Sequence, residues 1–296
     1  MLLKDLLQLA ENRFNSAGCL DSKLDAEFLL CHQLKVNKSY FFSHYGEDLG
    51  EKICEEYFLL MDQRAGGKPL QYIVGTQEFM GHEFLVDNRV LIPRKETESL
   101  VELALDRLLE RKPPRGGYEI LDLCCGSGAI AISLFLELRN RTKLKRVVAS
   151  DISEDALTVA KENAAKNDAG NVQFIAGDLF APFDLDKKDR GKKPFDLIIS
   201  NPPYIPTAVL PTLQREIRNH EPMLALDGGQ EGVDFYIRIL GEAHKHLKKG
   251  GLLILEIGSD QAPMVSALAI ASEKYGPAEI RKDLAGLDRI CILAPA

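Results

Sequence analysis

The sequence predicts an α/β protein: a doubly wound, mostly parallel sheet preceded by a small helical domain. Three observations lead there. From Tyr118 onward, short apolar runs alternate with helical patterns, the signature of βαβ units that build a parallel sheet. Residues 1–66 carry helical periodicity and no good strand. Asn201-Pro202-Pro203-Tyr204 follows directly on the apolar run 195–200, at the strand end where open α/β sheets bind ligands.

Taken in order, the helical part starts with Leu2, Leu3, Leu6, Leu7 and Leu9 crowding one helix. A second helix over 25–34 turns Phe28, Leu29 and Leu30 inward, with Asp21 or Ser22 as N-cap. A third covers 49–64 with Ile53, Tyr57 and Leu60. Ala65-Gly66-Gly67-Lys68-Pro69 breaks the pattern. Residues 67–93 read as a β-hairpin connector, with short strands at 71–75, 78–80, 83–86 and 90–93. An amphipathic helix over 97–111 stops at Pro113-Pro114. The domain over 94–296 then offers strands at 119–123, 146–150, 172–176, 195–200 and 252–257, with two weaker ones at 279–281 and 289–293. Helices include 154–167 and 234–247, and 184–193 reads as a charged, solvated loop.

With 296 residues, 45% hydrophobic and 27% charged, the chain has an ordinary globular composition with ample core and room for about two domains. No run approaches the ~18 apolar residues of a membrane helix. Asp5 and Glu11 interrupt any secretory core near the N-terminus. Six cysteines without regular pairing predict reduced thiols and a cytoplasmic location. Cys124 and Cys125 are adjacent, not spaced like a zinc knuckle, so no metal is expected. His244 and His246, beside Lys245, Lys248 and Lys249, read as a solvated helix end. The net charge of −7 argues against nucleic-acid binding, which leaves a basic footprint. Residues 1–66 hold seven Lys/Arg against eleven Asp/Glu, a net of −4, and read as a docking domain for a protein.

Asn201 and Pro202 each precede a proline and are held extended, and Pro203 has no N–H. The Asn201 side-chain oxygen and the Pro202 carbonyl become two preset acceptors beside the Tyr204 ring. That arrangement suits a planar –NH2 group. A proline turn closing a strand is the plain alternative, but Asn before Pro-Pro and Tyr after it favour a site. After the first strand comes Asp122-Leu123-Cys124-Cys125-Gly126-Ser127-Gly128. Gly126 and Gly128 let a ligand approach the backbone and let the next helix pack close. A lone Gly-x-Gly is a weak signal, and Cys124 stands where a dinucleotide fingerprint begins with glycine. Asp151 ends the second strand, 29 residues after Asp122, where it can accept both hydroxyls of a ribose; capping the following helix, alone or with Ser153, is the alternative. Asp178 ends the third strand, within reach of an adenine amino group, and reads equally well as a turn residue. Three acids at successive strand ends are wrong for a phosphate-rich ligand. They suit a cationic, phosphate-free nucleoside such as S-adenosylmethionine.

With these motifs placed, the chain resembles class I S-adenosylmethionine-dependent methyltransferases, with their Rossmann-like seven-stranded sheet. It is most similar to the HemK/PrmC family of protein-glutamine N5-methyltransferases acting on the Gly-Gly-Gln motif of class I peptide chain release factors. Carrying the resemblance are 67–75 with Glu78-Phe79, Val90-Leu91-Ile92-Pro93-Arg94, Glu96-Thr97-Glu98, Asn201-Pro202-Pro203-Tyr204, Glu221-Pro222, 225–229 and Glu256-Ile257-Gly258. The Asn-Pro-Pro-Tyr run is shared with adenine-N6 methyltransferases; the Ile-Pro-Arg and Pro-Leu-Gln-Tyr segments narrow it to the glutamine group. The resemblance implies that Cys124, Cys125, Gly126, Ser127 and Gly128 surround the methionine part of the cofactor. It also implies that Asp151 holds the ribose, that Leu179 covers the adenine, and that Asn201 through Tyr204 bind the target glutamine. Cys124 replaces a usual glycine, Leu179 a frequent Trp, Lys95 a usual Pro and Met80 a usual aromatic. None removes a group the chemistry needs. Gly228-Gly229-Gln230 matches the substrate motif but reads as a loop with glycine turns. Alternatives are a ribosomal-protein glutamine methyltransferase, an adenine-N6 DNA methyltransferase, for which the acidic N-terminal segment is unsuited, and a binding protein with an inactive pocket.

Overall fold

The computed structural model describes residues 1–183 and 195–296; the charged stretch 184–193 lies outside them. The chain forms two compact units, Met1–Thr76 with Leu213–Glu221, and Gln77–Thr212 with Pro222–Ala296. Among the described residues no helix is long and apolar enough to cross a membrane.

The first unit packs α1 (Leu3–Ser16), α2 (Ser22–Leu34), α3 (Ser39–His44), α4 (Gly50–Ala65) and α5 (Leu70–Val74), joined by the distant α9 (Arg215–His220). Leu3, Leu6, Phe14, Leu29, Leu30, Phe41, Tyr57 and Met61 form its core. Phe28 is corrected: it is 51% exposed. Ala26, Leu29 and Leu30 make the inward stripe at three- and four-residue spacing, so Phe28 falls on the outer face with Leu24. Buried Arg64 donates from Nε to Asp25 Oδ2 at 2.6 Å and from Nη1 to Glu216, which ties α9 to α4. Arg215 donates to the Gly66 carbonyl. Gly67 sits at φ 93°, a backbone conformation that strains any residue with a Cβ. The strand expected at 71–75 is instead α5. Pro69 precedes its first turn and Gly75, at φ 81°, ends it; this proline-before, glycine-after punctuation outweighs the β-branched Ile73 and Val74.

The second unit begins with a hairpin of β1 (Thr76–Phe79) and β2 (His82–Leu85). Met80 and Gly81, at φ 52° and 73°, are the two turn residues, as a tight hairpin with positive φ requires. The strand expected at 90–93 does not form. Val90 and Ile92 are buried, but the segment is part of neither sheet among the described residues. Then follow α6 (Lys95–Leu109), β3 (Tyr118–Leu123), α7 (Ala129–Leu138), β4 (Leu144–Asp151), α8 (Glu154–Lys166), β5 (Gln173–Ala176), β6 (Phe195–Ser200), α10 (Asp234–His246), β7 (Leu247–Glu256), α11 (Ala262–Ala271), β8 (Glu279–Lys282) and β9 (Asp288–Leu293). The sheet runs β5-β4-β3-β6-β7-β9-β8. Its first five strands are parallel; β9 runs antiparallel to β7, and β8 antiparallel to β9, so β9 is the reversed strand and β8 points the same way as the first five. This is the seven-stranded class I methyltransferase sheet. Period-2 alternation feeds two cores. Ile120, Leu197, Ile199 and Ile254 meet α6, α7 and α8; Leu121, Ile198, Leu253 and Leu255 meet α10 and α11. The histidine pair is not a solvated end: His246 is 3% exposed and stacks on Phe180, ring centroids 4.8 Å apart.

Candidate active site

Chain order reverses between β3 and β6, which makes their carboxyl ends the topological switch point of the sheet. Leu123 and Ser200 are register partners there. Ser200 Oγ donates to the Leu123 carbonyl at 2.7 Å, which sets the first residue after each strand, Cys124 and Asn201, side by side. Both line one cleft of about 870 Å³ including its open mouth, shared with Gly126, Asp151, Asp178, Leu179 and Pro203.

Asp151 is fixed by the turn it faces. Its Oδ2 accepts the Gly126 N–H at 2.8 Å and its Oδ1 the Ser153 N–H at 2.9 Å. Each oxygen keeps a further lone pair. Burial raises its carboxyl pKa, and these amides resist the rise. The helix cap is supplied by Ser153, whose Oγ accepts the Ala156 N–H at 3.1 Å. Gly126, at φ 52°, would direct a Cβ into space with no neighbour within 4 Å, the open floor of the cleft. A Cβ on Gly128 would instead crowd Ile132, Ala160 and Phe174 at 3.0–3.3 Å; it serves packing. Cys124 and Leu179 take φ 57° and 49°, left-handed conformations that are strained for side chains of this size and that cluster at this cleft.

Other residues singled out from the sequence support the cleft from beneath. Asp122 is fully buried and accepts the Ala131 N–H at 3.1 Å with Oδ2. It holds the start of α7 and does not line the cleft, so the expected trio of ligand-facing acids narrows to Asp151 and Asp178. Cys125 and Ser127 are buried. Burial pushes the thiols of Cys124 and Cys125 up, leaving them protonated and unsuited as nucleophiles. Pro202 is buried. Tyr204 packs against the α10–α11 core, with its carbonyl accepting Gln261 Nε2 at 3.0 Å.

Several cleft residues escaped the sequence reading. Arg238 is paired with the expected Asp178 at 2.6 Å, and Arg89 with Asp87 at 2.6 Å. Ile152 and Phe235 add apolar wall. Ile152 was the most legible, since it follows the strand-end acid. Behind Asn201, its Nδ2 donates to Thr97 Oγ1 at 3.3 Å, and Thr97 donates to Glu256 Oε2 at 2.7 Å. Burial pushes the Glu256 carboxyl up to about 7, against Thr97 and Arg289. Its signal was a carboxylate closing the otherwise apolar run 252–257.

Residues 5–75 match the PrmC N-terminal domain and residues 114–285 a methyltransferase domain. The chain is 43% identical to the release factor glutamine methyltransferase of Moorella thermoacetica, over 99% of this chain and 98% of that protein. It is 39% identical to the same-named protein of Thermodesulfovibrio yellowstonii, over 91% of each. For that of Deinococcus radiodurans the figures are 38%, over 98% and 97%. A cleft at the switch point of a methyltransferase sheet, walled by Asn201 and Pro203, thus sits in a chain whose relatives match it end to end, and the chain belongs to the release factor glutamine methyltransferase family.

Proposed function

We propose that this protein transfers a methyl group from S-adenosylmethionine to the side-chain nitrogen (N5) of the Gly-Gly-Gln glutamine of class I peptide chain release factors, in the cytoplasm and without direct contact to nucleic acid. The observation that carries the reading is the placement of Asn201 and Pro203 on the wall of the cleft that Asp151 and Gly126 also line.

The residues present fit the cofactor. Gly126 leaves open floor where any side chain would project. Asp151 is a carboxylate tethered by backbone amides, with lone pairs left for two ribose hydroxyls. Ile152, Leu179 and Phe235 offer apolar cover for a nucleobase, and Asp178 lies beside them. When bound, the cofactor supplies a methyl group on a positively charged sulfur. The chain's own work is on the acceptor. An amide nitrogen is a poor nucleophile because its lone pair is delocalised into the carbonyl. Asn201 Oδ1 and the Pro202 carbonyl accept its two N–H bonds, which turns the nitrogen toward the cofactor site. Placement of this kind reaches effective molarities of ~10⁵ M or more. Pro203 and Tyr204 exclude water, which strengthens the polar contacts.

The helical unit is the recognition module in this reading. Leu20, Leu24 and Phe28 are exposed at four-residue spacing, an apolar stripe fit for a protein partner. The test is incubation with labelled S-adenosylmethionine and, in parallel, purified release factors, ribosomal proteins and DNA, followed by peptide mass mapping and nucleoside analysis. Label on the Gly-Gly-Gln glutamine is expected. Label only on a ribosomal protein or on DNA adenine, or none at all, overturns the reading.

A further inference from the structure

We propose that Thr97 and Glu256 are positioning residues that fix which way the Asn201 carboxamide faces, and that this orientation holds only while Glu256 is a carboxylate. Its consequence for turnover rests on the methyl-transfer reading above; the orientation rests on geometry alone.

An asparagine carboxamide has two ends of nearly equal shape and opposite chemistry, an acceptor Oδ1 and a donor Nδ2. At position 201 the Nδ2 end meets Thr97 Oγ1 at 3.3 Å. Thr97 has one hydroxyl proton, and it goes to Glu256 Oε2 at 2.7 Å. With that proton committed, Oγ1 presents only lone pairs to Asn201, so only the –NH2 end satisfies both partners. Oδ1 is thereby turned away from Thr97 and kept for another donor. Thr97 and Glu256 are both buried, where an unmade hydrogen bond is not replaced by solvent. The same carboxylate also receives Tyr204 Oη at 3.4 Å on Oε1, so it ties both ends of the Asn-Pro-Pro-Tyr run.

Protonation reverses the logic. A neutral Glu256 donates its own O–H to Thr97 Oγ1. The Thr97 proton is then free to point at Asn201, and the acceptor end can turn to meet it. Only hydrogen bonds change hands. The groups acting on Glu256 come from every element around it: Thr97 and Glu96 of α6, Tyr204 after β6, and Arg289 of β9. Tyr236 of α10 donates to its backbone carbonyl at 3.0 Å. Arg289 favours the carboxylate while itself bonded to Asp283 at 3.2 Å, and Glu96 opposes it. Burial outweighs the rest and holds the carboxyl near 7, so both orientations are accessible near neutral pH.

The full-length chain and its Glu256→Gln, Thr97→Val and Thr97→Ser variants test this by two readouts. The first is the pH dependence of kcat on purified release factor. In the wild type, kcat is expected to rise with pH through about 7. Glu256→Gln should lose that acid limb and Thr97→Ser should keep it. Thr97→Val should lower kcat on the order of 10- to 100-fold, with the calorimetric Kd for S-adenosylmethionine unchanged. The second readout needs no turnover: the side-chain amide resonance of Asn201 in ¹⁵N-asparagine-labelled protein, assigned by its loss in Asn201→Asp. It should titrate near 7 in the wild type and stay flat in Glu256→Gln. A titration or an acid limb that persists in Glu256→Gln overturns the proposal. An amide that titrates in a chain that methylates nothing overturns the functional reading and leaves the orientation device standing. Methylation with a non-titrating amide overturns the device alone.

Discussion

Asp151 is held by two backbone amides, Gly126 N–H and Ser153 N–H, and that dictates how a substitution there should behave. Asp151→Ala releases two turn amides and, on the proposed reading, removes the acceptor for a cofactor hydroxyl. Loss of a charge-assisted bond costs about 1.5–3 kcal/mol, so calorimetry should show S-adenosylmethionine affinity down by at least tenfold, and unchanged affinity in a folded variant would remove Asp151 from the site. Glu256 supports a second prediction, on stability. Its carboxyl goes from the ordinary 4.5 up to about 7 on folding, so the folded state binds the proton more tightly. The stability this contributes is fully present below about pH 4.5 and is lost as pH rises through about 7. At 1.36 kcal/mol per pKa unit the loss is on the order of 3 kcal/mol. Glu256→Gln should therefore show a flatter Tm against pH between 5 and 8, with the gap to wild type closing toward acid. Parallel curves for the two proteins would show that Glu256 ionises normally.

At the scale of elements, α8 joins the hairpin to the cofactor turn through one side chain. Asn163 is fully buried. Its Oδ1 accepts the Leu85 N–H at 2.6 Å, and its Nδ2 donates to the carbonyls of Leu85 and Ser127 at 3.0 Å each. Asn163→Ala strands three backbone groups, the buried Ser127 carbonyl and the part-buried Leu85 N–H and carbonyl, an effect of about 1–3 kcal/mol. Chemical denaturation should show a lower midpoint at unchanged slope, together with weaker cofactor binding because Ser127 belongs to the turn. A stability loss without any change in cofactor affinity would show that the hairpin and turn are independent. The helical unit has its own such point. Arg64→Ala leaves the Asp25 and Glu216 carboxylates facing each other, and removing one partner of a buried ionic group costs about 3–5 kcal/mol. Loss of protease protection in 1–76 and 213–221, read by limited proteolysis, checks it.

For the whole molecule, every residue lining the cofactor cleft lies at position 89 or later. A chain lacking 1–66 should still bind S-adenosylmethionine. It should lose most activity on a folded release factor, because a tripeptide tip offers far less than the ~800 Å² per partner of a specific interface. The deletion also removes the partners of Glu216 and Arg215, so 213–221 is left without its packing, and circular dichroism must first show a folded remainder. On the proposed reading the net −4 of residues 1–66 steers association, so KM for the release factor should respond to salt more than kcat. Equal rates for full-length and truncated forms would place recognition entirely in the larger unit.

Much of this was set locally. Strand-and-helix alternation announced the sheet because period-2 and period-3.6 burial are written directly into residue spacing. Asn201-Pro202-Pro203-Tyr204 and Gly126-x-Gly128 pointed to the candidate cleft, which Asn201, Pro203 and Gly126 line, because prolines and glycines fix backbone geometry without help from distant residues. Where local propensity and context disagreed, context decided. Residues 70–74 became a helix although Ile73 and Val74 favour strands, residues 90–93 joined neither sheet although Val90 and Ile92 are buried, and Phe28 and His246 exchanged their expected environments. The inclusion of 213–221 in the helical unit was invisible, since Arg64 and Glu216 are 152 positions apart. So was the Asn201–Thr97–Glu256 chain, whose members come from three separate stretches. Local chemistry sets what each residue can do. Only the closed sheet sets which residues meet, because burial and hydrogen-bond satisfaction are properties of neighbours in space.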